Sequence, residues 1–565
     1  MNSIPSHELS TDPVVLGIHA LSHDAGAAIV SSNGMWSISE ERLTRKKYEG
    51  RFPESAIKCV LKVSGVNDLK NVDLVVLDHL GGTSGETIQI LREVGYRGEV
   101  VPIRHHDAHA ASAFFVSPFD DAAILIVDAA GSWGEDTEPG KSPHYLHTLQ
   151  ERMHEVQTTY RGNNNYFTMI RSTPTSQNHR LGIGFFYAFA CMFLGFSDLD
   201  GGKLMGLAPY GGRRELFNKP IFINYEGDLL AEGEKDFYDP DTWDYYGKKY
   251  FRGITPRKKD EPIVQKHAEI AWYVQDETEQ AMLILAHDLY RTTRCENLCM
   301  AGGVALNSVT NYSILQNTPF KNLFIQPAGN DSGIPLGCAL YGYHVLKGHP
   351  RQFIMEHAYL GMSYTDAEIK AAIPDAAGIR VSTPGDVPAR VAEAIADGKI
   401  VGWFEGASEL GPRALGHRSI FADPRRPEMK DILNEKVKHR ESFRPYAPSA
   451  LEEHSEEYFE LSTPSPFMLL IAPVRQEKRT IVPAITHVDG TARLQTVNRK
   501  HQERFYRLIE HFYQKTNIPL VLNTSFNVAG EPIVETPQDA VNCFLNTQMD
   551  ALLLGQYFLE KISGS

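Results

Sequence analysis

The apolar run Val14-Val15-Leu16-Gly17-Ile18 is followed by the polar turn Ser22-His23-Asp24-Ala25-Gly26 and by a second apolar run, Ala27-Ala28-Ile29-Val30. Each run has the length and the apolar content of a buried strand, and the small polar residues between the runs favour a tight turn. The stretch therefore predicts a strand, turn, strand unit that carries His23 and Asp24 at one end.

A second unit of this kind begins at Ala122-Ala123-Ile124-Leu125-Ile126-Val127, which is apolar throughout and ends at Asp128. A continuous apolar run is typical of a strand that is buried on both faces. Two such units predict an internal repeat of two related α/β lobes. The first unit resembles the phosphate-loop hairpin that opens the actin, Hsp70 and sugar-kinase fold.

Three histidines lie close together between the two units, in the alanine-rich stretch 103–113. If that stretch is a helix, His105 and His109 share one face, and two imidazoles so placed suit iron, zinc, manganese or nickel. Asp128, at the end of its strand, and Asp331, in a glycine-flanked turn, are the carboxylates that could complete a metal site. On spacing alone, a hydrogen-bonded histidine pair and a helix N-cap at Asp331 explain these residues equally well.

The chain has 565 residues, more than one hydrophobic core normally supports. A composition shift near residues 345–360 predicts two domains, 1–350 and 351–565. Lys and Arg number 56 against 70 for Asp and Glu, and this net charge of −14 argues against nucleic acid as a partner. The six cysteines are scattered, without a Cys-x-x-Cys pair, which favours a reduced, cytoplasmic protein.

Several longer segments give coarser predictions. The N-terminus lacks a signal-peptide pattern, and the most apolar segment, 181–196, falls short of the ~20 residues of a membrane span, so we expect a core helix there and no membrane partner. Residues 136–180 are rich in Gly, Pro, Asn and Thr and predict loops over the site. Residues 268–290 have apolar residues at helical spacing and predict a long amphipathic helix.

Glycine-rich segments and clustered basic residues indicate anion binding. In the first domain, Lys203 in a glycine-rich stretch and the Gly302-Gly303 step before Asn307 suit a nucleotide. In the second domain, basic residues are concentrated in 411–418 and 434–445, which favours a polyanionic ligand such as a nucleoside triphosphate. A basic face that pairs with the acidic first domain is the alternative interpretation.

Taken together, the motifs resemble the O-carbamoyltransferases of the nodulation-factor and antibiotic-tailoring type. The matching stretches occur in family order along the whole chain: 23–25, 40–47, 105–109, 202–211, 302–307, 411–416, 436–448 and 523–532. The resemblance implies an α/β fold, with an actin/Hsp70-like, two-lobed first domain of the Kae1 type followed by a YrdC-like domain. The second domain would make carbamoyladenylate from ATP, with Mg, and carbamoyl phosphate. The first would pass the carbamoyl group to a hydroxyl of a small-molecule acceptor, a natural product or a sugar.

The resemblance also assigns residues. The metal, Fe(II) or another divalent ion, would be held by His105, His109, Asp128 and Asp331. Lys47 resembles a lysine that meets the carbamoyl or phosphate group, and His23 is our candidate general base for the acceptor hydroxyl. The residues expected to bind ATP and carbamoyl phosphate in the second domain are Arg413, Lys438, Arg444, Arg493, Asn523 and Ser525, with Ser525 also expected to be catalytic. One departure is Ala529, which stands where many relatives have a basic residue.

Two other functions share parts of this pattern. A threonylcarbamoyl transferase that acts on tRNA would share the metal set, but the acidic composition and the domain order argue against it. A non-enzymatic nucleotide-binding module of the Hsp70 type would share only the fold and would need neither the metal set nor the basic cluster. A homodimer is compatible with the sequence.

Overall fold

The computed structural model describes residues 12–80, 83–132, 153–176, 180–212, 217, 220–225, 228–233, 235, 239–376 and 378–562. The strands are β1 (Val15–His19), β2 (Gly26–Ser31), β3 (Gly34–Ser39), β4 (Leu74–His79), β5 (Glu99–Arg104), β6 (Asp121–Val127), β7 (Met153–Asn163), β8 (Tyr166–Ser176), β9 (Arg180–Leu181), β10 (Phe222–Tyr225), β11 (Asp228–Glu232), β12 (Asn297–Ala301), β13 (Asn322–Ile325), β14 (Ile379–Ser382), β15 (Val401–Phe404), β16 (Arg418–Ala422), β17 (Ala447–Leu451), β18 (Leu470–Pro473), β19 (Thr491–Val497), β20 (Leu520–Ser525), β21 (Ala551–Leu554) and β22 (Tyr557–Lys561).

The α-helices are α1 (Glu40–Thr44), α2 (Glu54–Val63), α3 (Thr83–Glu93), α4 (His105–Phe114), α5 (Ile183–Phe193), α6 (Gly201–Leu207), α7 (Trp243–Tyr250), α8 (Gln265–Thr293), α9 (Ser308–Asn317), α10 (Ile334–Tyr341), α11 (Asp366–Ala371), α12 (Val387–Ala396), α13 (Met429–Leu433), α14 (Ser455–Tyr458), α15 (Glu503–Thr516) and α16 (Pro537–Asn546). The core helix expected in 181–196 is α5, and the long amphipathic helix expected in 268–290 is α8. Among the described helices, none is both long and apolar enough to cross a membrane.

Two five-stranded sheets share one topology. The first has the order β3-β2-β1-β4-β5, with β1 to β3 antiparallel and with β4 and β5 parallel to β1. The second has the order β8-β7-β6-β12-β13 and the same directions, so β6 occupies the place of β1. The predicted repeat of two α/β lobes, and with it the actin/Hsp70-like class of the first domain, is confirmed.

Helices α4 and α10 pack against each other between these two sheets, with α10 on β1 and β2 and with α4 on β6 and β12. A Cβ on Gly17 would lie 1.9 Å from the carbonyl oxygen of Pro335, and a Cβ on Gly337 would lie 1.9 Å from that of Ala108. Glycine at both positions therefore lets β1, α10 and α4 approach at backbone distance. This layer fixes the histidines of α4 relative to the turn that precedes α10.

The prediction of loops over 136–180 is wrong for the part that the structure describes. Residues 153–163 and 166–176 are β7 and β8, a hairpin that pairs with β6, while 136–152 and 177–179 lie outside the described residues. The polar composition misled the prediction, because one side of a hairpin at a sheet edge can remain polar.

Residues from 379 onward form a nine-stranded mixed sheet in the order β14-β22-β21-β15-β16-β20-β17-β19-β18. Helix α15 packs on α12, β17 and β20, and α16 packs on β15 and β21, as the predicted α/β class requires. Met355, Ala358 and Leu360 are buried in one hydrophobic cluster with residues from both sides of residue 350. The core is thus continuous there, and the boundary between 350 and 351 stays a prediction.

Candidate functional site

Helix α4 brings two imidazoles to two carboxylates. His109 Nε2 lies 2.9 Å from Asp128 Oδ2 and 3.6 Å from Asp331 Oδ1, and His105 Nε2 lies 3.5 Å from an oxygen of each carboxylate. Asp128 directly follows β6, and Asp331 begins the 3₁₀ turn Asp331–Gly333 before α10. The structure therefore brings together all four predicted metal ligands, all of them buried.

These four side chains fit a divalent metal. Their candidate ligand atoms all lie within 4.8 Å of one another. The Nε2 atom of His105 is buried without a hydrogen-bond partner among the described residues, although it faces both carboxylates. Two imidazole nitrogens and two carboxylate oxygens are a donor set that iron, manganese and zinc accept, and the two negative charges would balance a dication.

A third carboxylate, Asp78 at the end of β4, lies behind this set. Its Oδ2 is 2.8 Å from His105 Nδ1 and its Oδ1 is 2.8 Å from His19 Nδ1. A carboxylate that accepts the Nδ1 hydrogen of a histidine leaves the Nε2 lone pair free for a metal. Asp78 and His19 were not predicted from the sequence. The sequence pattern that identified Asp128, a polar residue at the end of a buried strand, is also present at Asp78 and His19.

The charges of this site stabilise one another. Burial alone would raise the pKa of Asp128 and Asp331, but His105 and its neighbouring imidazoles hold the pKa of both carboxyls below the usual range. Burial would lower the pKa of His105, but the surrounding carboxylates raise it well above its ordinary value. The imidazoles and carboxylates of the site thus offset one another's charge.

His23 lies beside the same set. Its Nε2 is 3.8 Å from Asp331 Oδ2, and its Nδ1 is 3.2 Å from Asp24 Oδ2. Burial would lower the pKa of His23, but Asp331 and Asp24 raise it to about 9, which favours the protonated imidazole. A base must be neutral, and a cation bound at Asp331 would oppose the effect of the carboxylates. The general-base role stays a prediction.

The nucleotide-binding residues predicted for the first domain make internal contacts. Gly303 N donates to Asp128 Oδ1 at 3.1 Å, and a Cβ on Gly302 would lie 2.3 Å from the carbonyl oxygen of Val127. Asn307 caps α9 and pairs with Gln275. The glycines thus permit close packing against β6 and orient a candidate metal ligand, and their nucleotide role stays a prediction.

Two lysines of the first domain line the cavity in front of this site. Lys203 Nζ lies 2.9 Å from Asp200 Oδ2 and 3.2 Å from Glu441 Oε1, so it links the first domain to the basic segment of the second. Lys47 has its pKa lowered by burial and by the positive charges of Arg444 and Lys203, against the effect of Asp200.

The predicted basic residues of the second domain converge and are joined by Arg440, which was not among the residues predicted to bind a ligand. Burial and mutual repulsion lower the pKa of Arg413 to about 10 and the pKa of Arg493 and Lys438 well below their ordinary values. Among the described residues, no carboxylate forms an ion pair with these three or with Arg440. Arg444, in contrast, lies 3.9 Å from Glu441 Oε2, so the guanidinium groups of this cluster that have no described carboxylate partner are those of Arg413, Arg440 and Arg493.

Ser525 belongs to this cluster through Lys438. Lys438 Nζ donates to Ser525 Oγ at 3.2 Å and to Asn527 Oδ1 at 2.7 Å, and Ser525 Oγ donates to Asn527 Oδ1 at 2.7 Å. Lys438 is 2 % exposed, so its ammonium is held among oxygen acceptors rather than water. These contacts fix Ser525 at the edge of the cavity.

One cavity of about 650 Å³ joins the two groups of residues. Its walls include His23, Asp128 and Asp331 from the first group and Arg413, Arg440, Arg444, Arg493, Asn523 and Ser525 from the second.

Helix α1 and the loop after it make contacts between the first and the second predicted domain. Arg42 donates to the carbonyl oxygens of Glu409 and Gly411, and Arg45 donates to those of Pro532 and Ile533.

Comparison with known proteins gives matches over most of the chain. The family model described as "Carbamoyltransferase N-terminus" matches residues 14–94 and 92–340, and the one described as "Carbamoyltransferase C-terminus" matches residues 392–561. Nodulation protein NolNO of Sinorhizobium fredii is 35% identical, with 96% of this chain and 80% of that protein covered. Nodulation protein NolO of Bradyrhizobium diazoefficiens is 36% identical, with coverages of 81% and 79%. An uncharacterized protein of Synechocystis is 35% identical, with coverages of 97% and 96%.

Proposed function

The chain belongs to the carbamoyltransferase family, and on that premise we propose that it moves a carbamoyl group from carbamoyl phosphate, through carbamoyladenylate made with ATP, to a hydroxyl of a small-molecule acceptor. The observation that carries the proposal is the shared cavity, which has a cluster of guanidinium groups at one end and a candidate metal set at the other. Such a cavity suits an intermediate that is made at one end and used at the other.

The first stage belongs to the basic end. Water and carbamoyl phosphate give carbamate and phosphate, and a carbamate oxygen then attacks the α-phosphorus of ATP, so that pyrophosphate leaves. Arg413, Arg444 and Arg493 would bind the phosphate groups, and their positive charge would stabilise the leaving pyrophosphate. Lys438 would hold Ser525 in place, and Mg would accompany ATP.

The second stage belongs to the histidine end. The acceptor hydroxyl oxygen attacks the carbamoyl carbon of carbamoyladenylate, the bond to the AMP oxygen breaks, and the hydroxyl proton leaves. His105, His109, Asp128 and Asp331 would hold a divalent metal, Fe(II) by family resemblance, which supplies a Lewis acid when bound. His23 would take the proton of the hydroxyl, and Lys47 would meet the carbamoyl or phosphate group.

The cysteines and the net charge support a cytoplasmic protein that acts on a metabolite. All six cysteines are free thiols and all are buried, which suits a reducing compartment. The net charge of −14 opposes a nucleic-acid acceptor. We therefore propose a hydroxylated natural product or sugar as the acceptor.

The experiment separates the two stages. Full-length protein with metal, ATP and carbamoyl phosphate should release pyrophosphate and phosphate without an acceptor, and it should form a carbamoylated product when a panel of hydroxylated metabolites is added. His23→Asn should keep pyrophosphate release within about two-fold and lose the product, because an amide cannot act as a base near pH 7. Absence of pyrophosphate release by the wild type would refute the proposal, and normal product formation by His23→Asn would remove His23 from the mechanism.

A further inference from the structure

Ser132 lies where three segments of the candidate metal site meet. It is the fourth residue after Asp128, and its side chain is buried. Its Oγ donates to the carbonyl oxygen of His79 at 2.7 Å and accepts the backbone N–H of His105 at 2.9 Å. His79 directly follows Asp78 at the end of β4, and His105 begins α4. One hydroxyl therefore joins the segments that carry Asp78, His105 and Asp128.

The same hydroxyl caps α4 from a distant part of the chain. Arg104, the residue before the helix, makes no side-chain hydrogen bond to the first N–H groups of α4. The first N–H groups of a helix have no partner inside the helix, and Ser132 accepts the one of His105. Because His105 is 0 % exposed, loss of the hydroxyl would leave this N–H buried and unpaired.

Strand β7 holds Ser132 in place. Ser132 N donates to Glu155 Oε1 at 3.2 Å, and Glu155 N donates to the carbonyl oxygen of Ser132 at 3.2 Å. The other carboxylate oxygen of Glu155 accepts from Arg104 Nη2 at 2.5 Å, next to the start of α4. A Cβ on Gly131 would lie 2.4 Å from Glu155 Cγ, so the turn lies directly against this side chain. The hydroxyl thus has a fixed position relative to both β6 and α4.

We propose that Ser132 is a positioning residue for the metal set, which keeps His105 at the correct distance from the two carboxylate-bearing segments. This inference rests on the metal assignment within the proposed function. Ser132 is not among the candidate ligands, and the contacts of its hydroxyl described above are with backbone groups. Ligands must be held within about 0.5 Å of their productive positions, and buried contacts behind them provide this precision.

Ser117 provides a matched control at the opposite end of α4. Its Oγ donates to the carbonyl oxygen of Phe114 at 2.8 Å and accepts the backbone N–H of Phe119 at 3.3 Å, and it is 0 % exposed. Alanine at Ser117 or at Ser132 therefore removes a buried hydroxyl that accepts from one backbone N–H and donates to one carbonyl oxygen. Only Ser132 is bonded to the segments of the metal set, so an effect on metal binding separates positioning from general stability.

The test measures binding of Co²⁺ to the full-length protein. The dissociation constant is obtained by competition with a chelator, and the visible absorption of bound Co²⁺ reports its coordination geometry. Ser132→Ala should weaken Co²⁺ binding about 10-fold and alter the absorption band, whereas Ser117→Ala should match the wild type in both. Thermal unfolding without metal should show comparable destabilisation of the two alanine variants. Ser132→Thr, which keeps the hydroxyl, should restore the affinity.

Two results would overturn the inference. Wild-type affinity and absorption in Ser132→Ala would give Ser132 a structural role alone, and an equal loss of affinity in Ser117→Ala would assign the effect to general destabilisation. Ser132→Cys, which keeps the shape but forms weak hydrogen bonds, replaces the alanine variant if that variant does not fold.

The proposed function can fail separately from this inference. A wild type that binds Co²⁺ but forms no carbamoylated product would refute the proposed function and keep the inference, provided that Ser132→Ala binds Co²⁺ more weakly. A wild type that binds no Co²⁺ would refute the metal assignment, and the positioning role of Ser132 with it.

Discussion

The two ends of the cavity are both buried and both highly charged, but opposite charges are paired at one end and like charges are clustered at the other. At the histidine end, Asp78, Asp128 and Asp331 face imidazoles, and each sign of charge stabilises the other. At the basic end, Arg413 and Arg493 face further cations, and burial and repulsion lower the pKa of both guanidinium groups. The charges of the first end are paired within the protein, whereas at the second end Arg413, Arg440 and Arg493 have no carboxylate partner among the described residues.

This difference indicates what each end requires from a ligand. The histidine end already has its carboxylates and an oriented imidazole, so a single cation can replace the protons there. The basic end is held together by the surrounding nine-stranded sheet against its own repulsion, and a bound phosphate chain would relieve that repulsion. Changes at the histidine end should therefore affect metal content, whereas changes at the basic end should affect the first chemical stage.

The largest expected effect is loss of the metal. His105→Ala and Asp331→Ala each remove one of four ligands, so we expect elemental analysis to show less than about one tenth of the wild-type metal content and no detectable carbamoylated product. Pyrophosphate release should remain, because the basic end is intact. His287→Ala on α8, whose side chain is partly exposed, is the matched control. Wild-type metal content in both variants would refute the metal assignment.

Loss of one guanidinium group should have the next largest effect. Arg413→Met keeps most of the side-chain length but removes the charge, and we expect pyrophosphate release to slow by about 10²- to 10³-fold while metal content stays normal. Arg380→Met is the control, since Arg380 is 65 % exposed and shares Glu560 with Arg390 and Lys399. If Arg413→Met lost metal instead, the division of labour between the two ends would be wrong.

A smaller effect is expected behind the metal set. Asp78→Asn can still accept one hydrogen bond but cannot accept from both His19 and His105, so the ring of His105 is no longer held in one tautomer. We expect the metal affinity, measured by competition with a chelator, to fall about 10- to 100-fold. Asp121→Asn, at the start of β6 with a half-exposed side chain, should bind metal normally. Unchanged affinity in Asp78→Asn would show that His105 is oriented by other contacts.

The smallest effect should come from the contact between the halves. Arg42 Nη2 donates to the carbonyl oxygens of Glu409 and Gly411, at 3.2 and 3.0 Å, and so supports the loop that carries Arg413. Lysine keeps the charge but cannot reproduce the planar fork, so Arg42→Lys should raise the KM for ATP about 10-fold with little change in metal content. Arg51→Lys, whose side chain is 78 % exposed, is the control. Equal KM values would mean that the loop is held without Arg42.

The sequence by itself determined the features that depend on local physics. Helical spacing put His105 and His109 on one face of α4, and the continuous apolar run before Asp128 identified a buried strand with a carboxylate at its end. The repeat of the two lobes was visible because each lobe begins with a strand unit of the same kind. The basic segment that contains Lys438 and Arg444 was visible because positive residues are concentrated there in an acidic chain.

Only the tertiary structure decided which distant residues meet. Asp78 contacts His105 across 27 residues, and Asn523 contacts Ala414 across 109 residues, and neither spacing corresponds to a helical or strand period. Gly303 lies in a glycine pair that is typical of a nucleotide-binding loop, yet its N–H donates to Asp128. The direction in which a backbone N–H points depends on the strand packed beside it, which the sequence of the loop does not specify. The β7–β8 hairpin was not predicted because the composition of a strand with polar residues resembles that of a loop. Pairing with a neighbouring strand, here β6, makes the segment a strand. Long-range contacts of this kind arise from the packing of whole sheets and helices, which short stretches of sequence do not encode.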